Sequence, residues 1–421
     1  MNVVVMLKNS LLYIGFDVLV KLLPFFLVLV LTHYLSPEDM GIIAEFTALV
    51  GVLSVFCGLS VQGVIGVAFV KLEQEKIGDY VFNVLLILLV SSFITIYLIT
   101  ILGNFIEDYT SLRGEWLYYA CLTASMQFIN IINTLLWQME KRPLPYGIFQ
   151  TAHVTINVLF SLVLVVVMGL AWQGRLIAHI SVITLFSLLS LWFLYQRGYL
   201  ALKINISFIK EALTFGIPLI PHTLAGWFFM GFNIMLISAK LGKEETGIFN
   251  VALQFAIAMG IVMDSANRAL MPYFYEQLRD LKENNKERLV HFVYLFFFAV
   301  IIVGLIIWQL SLLAILWAVN EQFQSSQSIV GYLIVGYLFN GLYYFLAQFI
   351  TYQNKNYLVT AITLFSAAVH VFFATLLVQY YGLVGVAFAS ILSGLTMFLL
   401  AWFTTMKVTP LPWFSLFTRT N

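Results

Sequence analysis

LSPEDMGI at residues 35–42 returns as LGKEETGI at residues 241–248. Leu35, Glu38, Gly41 and Ile42 recur as Leu241, Glu244, Gly247 and Ile248, and Asp39 recurs as Glu245. The separation is 206 residues in a chain of 421. Weaker echoes follow in the same order. Asn157 to Gly169 lies on His370 to Gly382 at an offset of 213, and Gly174, Ala178 and Ile180 lie on Gly385, Ala389 and Ile391 at 211. Apolar segments match by chance, so one echo carries little. Several in sequence, all near half the chain length, point to a unit written twice.

Composition says what the unit is made of. Hydrophobic residues are 62% and charged residues 10% of the chain. Soluble domains run at roughly 45–50% and about 25%. Apolar runs of about 20 residues recur throughout, long enough to cross ~30 Å of hydrocarbon as a helix. They are continuous rather than alternating, so the backbone satisfies itself in helices and not in a barrel. Twelve spans are expected, at 9–33, 41–69, 80–103, 116–138, 146–169, 174–196, 212–239, 247–271, 290–317, 329–351, 357–380 and 384–406. The second is long enough to hold a break. The first is read as a retained helix, not a cleaved leader. The fold class is all-α integral membrane, with two six-helix bundles around a central cavity.

Six spans per copy is an even number, so both copies stand the same way up. Their expected limits are an N-terminal lobe at 1–196, a cytoplasmic linker at 197–211, a C-terminal lobe at 212–406 and a cytoplasmic tail at 407–421. With the N-terminus inside, the inner connections hold 15 Lys and Arg against 4 outside, Arg113 among the latter. This places both termini in the cytoplasm. The polar connection 273–291 carries Glu276, Asp280, Glu283 and Glu287 at helical spacing and reads as a cytoplasmic surface helix or helical hairpin, a solvated linker between the halves rather than a regulatory element. The net charge of +1 gives no reason to expect nucleic acid. Cys57 and Cys121 fall inside apolar runs and read as small buried residues rather than a disulfide.

Charges inside spans are the functional signal, because each costs about 2.5–3.5 kcal/mol at mid-helix unless it meets a partner or a wet cavity. Asp17 and Lys21 lie four apart on span 1, and Asp264 and Arg268 four apart on span 8. Each pair either neutralises itself or lines a cavity. An offset of 206 puts Arg268 opposite Gln62. Glu45 and Arg175 sit near the outer ends of spans 2 and 6, where snorkelling to the interface competes with a cavity role. His222 follows FGIPLIP at 215–221, where Pro218 and Pro221 should kink span 7. His153, His179 and His370 read as packing residues. No histidine pair has ligand spacing with a carboxylate, so no metal is expected. There is no phosphate-binding loop and no nucleophile elbow. Trp116, Tyr118 and Tyr119 sit where an interfacial aromatic belt belongs.

FGIPLIP at 215–221, Trp227, LGKEETGIFN at 241–250, WQMEKRPLPY at 137–146 and GLVGVAFAS at 382–390 together resemble the Wzx-type polysaccharide flippases. These are similar in turn to the MATE exporters and lipid II flippases. The resemblance covers nearly the whole chain. It implies an inner-membrane transporter, not an enzyme, that moves an undecaprenyl-pyrophosphate-linked oligosaccharide such as an O-antigen unit to the periplasmic leaflet. Implied partners are that cargo, membrane lipids, a polysaccharide polymerase and a chain-length regulator. No cofactor is implied, and a proton or sodium gradient is the expected energy source. Lys21, Arg268, Gln62, Arg175, His222 and Asn233 become substrate-binding candidates. Asp17, Asp264 and Glu45 become ion-coupling or charge-pairing candidates. The resemblance departs in mid-span 7, where many relatives carry an Asp–Arg pair and this chain has Asn233 and Ile234, so no role of that carboxylate carries over. The rival readings are a drug or cation antiporter of the MATE kind and a membrane-embedded polysaccharide polymerase.

Overall fold

The computed structural model describes residues 3–110, 112, 114–279 and 283–413. Arg113, Asp280 and the tail beyond 413 lie outside the described residues, as do the side chains of Glu283 and of the first residues of the chain. Every regular element described is helical. The helices are α1 (Val3–Leu31), α2 (Pro37–Gly58), α3 (Gln62–Lys71), α4 (Gln74–Tyr109), α5 (Glu115–Met139), α6 (Pro143–Leu162), α7 (Ala171–Gln196), α8 (Ile206–Gly216), α9 (Ile220–Leu241), α10 (Lys243–Arg279), α11 (Glu283–Ala318), α12 (Gln327–Tyr352) and α13 (Asn356–Val408). Ten described stretches are long and apolar enough to cross a membrane. One of them, α13, has 53 residues, about 80 Å at 1.5 Å per residue, which is two crossings. The apolar α1 completes the twelve. The protein is an all-α, multi-pass membrane protein.

The chain forms two compact units, Met1–Gly247 and Ile248–Asn421. In the first, α2 packs on α4, α5, α7 and α9. It starts cleanly because Ser36 caps it. The Ser36 hydroxyl accepts from the Asp39 amide at 3.1 Å, and the Asp39 carboxylate accepts from the Ser36 amide at 3.1 Å. This reciprocal box satisfies two amides that a helix start leaves open, and Pro37 follows at the position where a missing N–H costs nothing. Span 2 breaks as its length suggested: Leu59 and Ser60 take φ of 45° and 55°, and α3 restarts at Gln62. Span 7 also breaks. Its two halves, α8 and α9, are joined by a 3-10 turn at Ile217–Leu219, where Pro218 removes a helical donor. A cluster of Trp137, Tyr146, Phe149, Val182 and Phe186 knits α5, α6 and α7.

In the second unit, α12 packs against both halves of α13 and against α11. Gly382 divides α13 with φ 56°. Its repeat partner Gly169 has φ 66°. Both occupy a left-handed region that glycine enters at little cost. The next echoed glycines behave alike. A Cβ on Gly174 would lie 3.1 Å from the Leu164 carbonyl, and one on Gly385 would strike the carbonyl of Leu377, the residue equivalent to Leu164. The duplication inferred from letters is therefore a duplication of local geometry. The connection at 273–291 is helical where described, as the end of α10 and the start of α11.

Candidate functional site

A seam between α2 and α9 runs along the first unit. The indole of Trp227, on α9, lies over Gly51 and donates to the Ala48 carbonyl at 2.8 Å. Ser238, one helix end further, donates to the carboxylate of Glu45. Lys243 reaches Glu38 at 3.5 Å. At the other end, Gly216 lets its chain approach the Leu59 carbonyl, and the Ser60 and Thr223 hydroxyls stand 3.2 Å apart. The break in span 2 thus faces the break in span 7. Small residues allow this closeness, which is how helices associate where lipid offers no hydrophobic drive.

Glu45 corrects the snorkelling expectation. It is fully buried, at 0% exposure, and spends its carboxylate on α9 rather than at a headgroup. Asn233 is 2% exposed, and its amide donates to the Phe229 carbonyl one turn earlier at 3.3 Å. The half-buried Arg175 turns its guanidinium to α6, donating to Asn157 at 3.0 Å and Ser161 at 3.1 Å.

Asp17 accepts from the buried Tyr146 hydroxyl at 2.9 Å, which ties α1 to α6. Lys21, one turn on, is exposed. Arg268 and Asp264 close an ion pair at 2.5 Å while remaining 66% and 46% exposed. Gln62 opens α3 beside the span 2 break, and its buried Oε1 has no hydrogen-bond partner. His222 is exposed at the start of α9. Among the described residues there is no cluster of three or more His, Cys, Asp or Glu that could hold a metal ion. Cys57 and Cys121 are free thiols, both at 0% exposure, with sulfurs 3.5 Å apart.

A polar network escaped the sequence reading. Arg197, just after α7, donates to Asn133 at 2.9 Å and Glu140 at 3.1 Å, and lies 5.0 Å from the centres of the Trp137 and Tyr199 rings. The Tyr199 hydroxyl donates to the same Glu140 oxygen at 2.7 Å. Burial first, and that carboxylate second, push Tyr199 up to about 12. Ser190 and Asn130 extend the network into the unit at 2.8 Å. The available signal was WQMEKRPLPY. Its Trp137 stacks on Arg197, its Glu140 pairs with Arg197, and its Tyr146 holds Asp17.

A groove of about 430 Å³ lies between α4, α5 and α7, lined by Leu85, Leu89, Phe93, Leu122, Met126 and Leu191 among others. Its polar members Ser92 and Ser125 bond each other at 2.8 Å. Such a lining suits hydrocarbon and offers nothing to a sugar.

The comparisons with known proteins agree with this architecture. Lsg locus protein 1 of Haemophilus influenzae is 24% identical over 413 residues, 95% of this chain and 98% of that protein. An inward-facing multidrug resistance MATE family transporter of the MOP superfamily superposes with a TM-score of 0.71 at 14% identity, over 93% of this chain and 96% of that one. The lipid II flippase MurJ, in an inward closed conformation, gives 0.71 at 14% identity, over 94% and 87%. These likenesses establish a shared fold. The polysaccharide biosynthesis protein family matches residues 6–277, more than half of the chain, and the protein described here belongs to that family.

Proposed function

We propose that this protein is a flippase. It carries an undecaprenyl-pyrophosphate-linked oligosaccharide, an O-antigen unit or a similar glycan, from the cytoplasmic to the periplasmic leaflet by alternating access. The observation that carries the reading is membership of a polysaccharide biosynthesis family by a chain built of membrane-spanning helices. A polysaccharide precursor assembled on one face of a membrane has a polar glycan and an anionic headgroup. Neither crosses oil unaided. Both repeats supply a cation exposed within an apolar helix, Lys21 in α1 and Arg268 in α10. Each is assigned to the anionic headgroup at some stage of the cycle, as phosphate oxygens favour charge-assisted donors. Asp264 orients Arg268, and Asp17 and Glu45 are the carboxylates available to take a coupling proton. The α2–α9 seam must part for the outer side to open. The Lys and Arg bias supports an inner-membrane orientation with both termini in the cytoplasm.

Glycan display in cells tests this directly. Arg268→Ala should abolish display while the protein stays in the membrane at its normal level. Normal display in both the Arg268→Ala and Lys21→Ala strains overturns the assignment. A MATE-like antiporter is the second reading, since a MATE transporter superposes as well as MurJ does. A deletion strain hypersensitive to cationic drugs, with intact surface glycan, would select it.

A further inference from the structure

Arg175 is held in an unusual way. Its Nη1 donates to Asn157 and to Ser161, both neutral, at 3.0 and 3.1 Å. The acceptors are well made: Ser161 spends its own proton on the Asn157 carbonyl at 2.6 Å, and the Asn157 amide faces His179 at 3.4 Å. Asn157 is 7% exposed and Ser161 0%. Among the described residues no carboxylate lies within 4.0 Å of Arg175, and its Nε and Nη2 have no hydrogen-bond partner. The lipid-facing stripe of α7 is Ile177, Leu185, Leu188 and Trp192. Arg175 stands about 160° round the helix from Ile177, at 100° per residue. Arg175 is therefore half-buried and turned toward α6, away from that stripe, where a cation without a counter-charge is costly.

The fold does not require it. At the equivalent place the second repeat carries Val386, fully buried, and Asn157 is matched by His370, which meets Ser393 at 3.0 Å. A positive group kept in one repeat only, with neutral partners and a free donor edge, has the chemistry of an anion receptor. One positive charge balances one negative charge. A divalent oxyanion would overcompensate in a medium that penalises net charge.

We propose that the free edge of Arg175, beside Asn157 and His179, binds a small monovalent anion of the halide class between α6 and α7. The anion neutralises the guanidinium and locks the two helices. It is separate from the headgroup contacts assigned to Lys21 and Arg268, and stands or falls independently of them.

The test is thermal unfolding of the purified full-length protein in sodium chloride against sodium gluconate at equal ionic strength. Chloride should raise the midpoint saturably, by about 2–4 °C, as a ligand that binds only the folded state does. Arg175→Gln should lose the chloride response, and a surface control, Lys203→Gln, should keep it. Asn157→Asp carries its own counter-charge and should be as stable in gluconate as the parent is in chloride. A parent indifferent to chloride, an Arg175→Gln variant that responds like the parent, or an Asn157→Asp variant that still needs chloride would each overturn the proposal. Arg175→Gln reads loss and Asn157→Asp reads gain, so a variant that merely folds poorly cannot imitate the expected pair.

Discussion

Gly41 and Gly247 are equivalent residues of the two repeats, and each is packed on the backbone carbonyl four positions before the other. Gly41 meets the carbonyl of Lys243, and Gly247 that of Pro37. A Cβ on Gly247 would also lie 3.0 Å from the Gly41 amide. Neither glycine has a positive φ. The two copies of the turn dock on each other through reciprocal contacts, and glycine is there for closeness rather than for a left-handed backbone.

Gly41→Ala and Gly247→Ala should therefore push α2 from the start of α10. Overpacking of this kind costs about 1–3 kcal/mol. Labelling of a Ser238→Cys reporter by a membrane-impermeant maleimide should speed up in either glycine variant. Unchanged labelling would show that the contact does not hold the seam.

Glu45 and Ser238 give a second test on the same seam. Removing the hydroxyl with Ser238→Ala takes one donor from a fully buried carboxylate. The expected loss is about 1–3 kcal/mol. Ser238→Thr, which keeps the hydroxyl, should lose less. Unfolding midpoints in detergent decide it; equal midpoints for the Ala and Thr variants would contradict the account.

Tyr199 links the connection after α7 to Glu140. Its hydroxyl is held above its ordinary value, so the folded protein keeps that proton more tightly than the unfolded chain does. The resulting stability is fully present below about pH 10 and is lost as pH rises through about 12. Tyr199→Phe should flatten the stability profile in that window. An unaltered alkaline slope would mean that other groups set it.

Cys57 and Cys121 are fully buried, free and adjacent. Neither should react with a small permeant maleimide in the folded protein, and both should react after denaturation. Rapid modification of the native protein would place one of them on an open path.

Much of this protein is legible in its letters because a bilayer is a demanding solvent. Continuous apolar runs have to become helices, so twelve spans, the kink at Pro218 and the doubling announced by Gly41/Gly247 and Gly169/Gly382 follow from residue type and spacing. Side-chain direction is another matter. Glu45, Arg175 and Asn233 read as a polar group near a helix end or within a span, and nothing along the chain tells inward from outward. Ser238, Asn157 and Phe229 supply the partners, and only folding brings Ser238 to Glu45 across 193 residues. The network of Glu140, Arg197 and Tyr199 was hidden for the same reason: Arg197 counted as one more cytoplasmic charge until α5 and the end of α7 were side by side. Hydrophobicity acts locally and is written in sequence order. Pairing of buried polar groups acts across helices, so the tertiary structure alone decides which of them face each other.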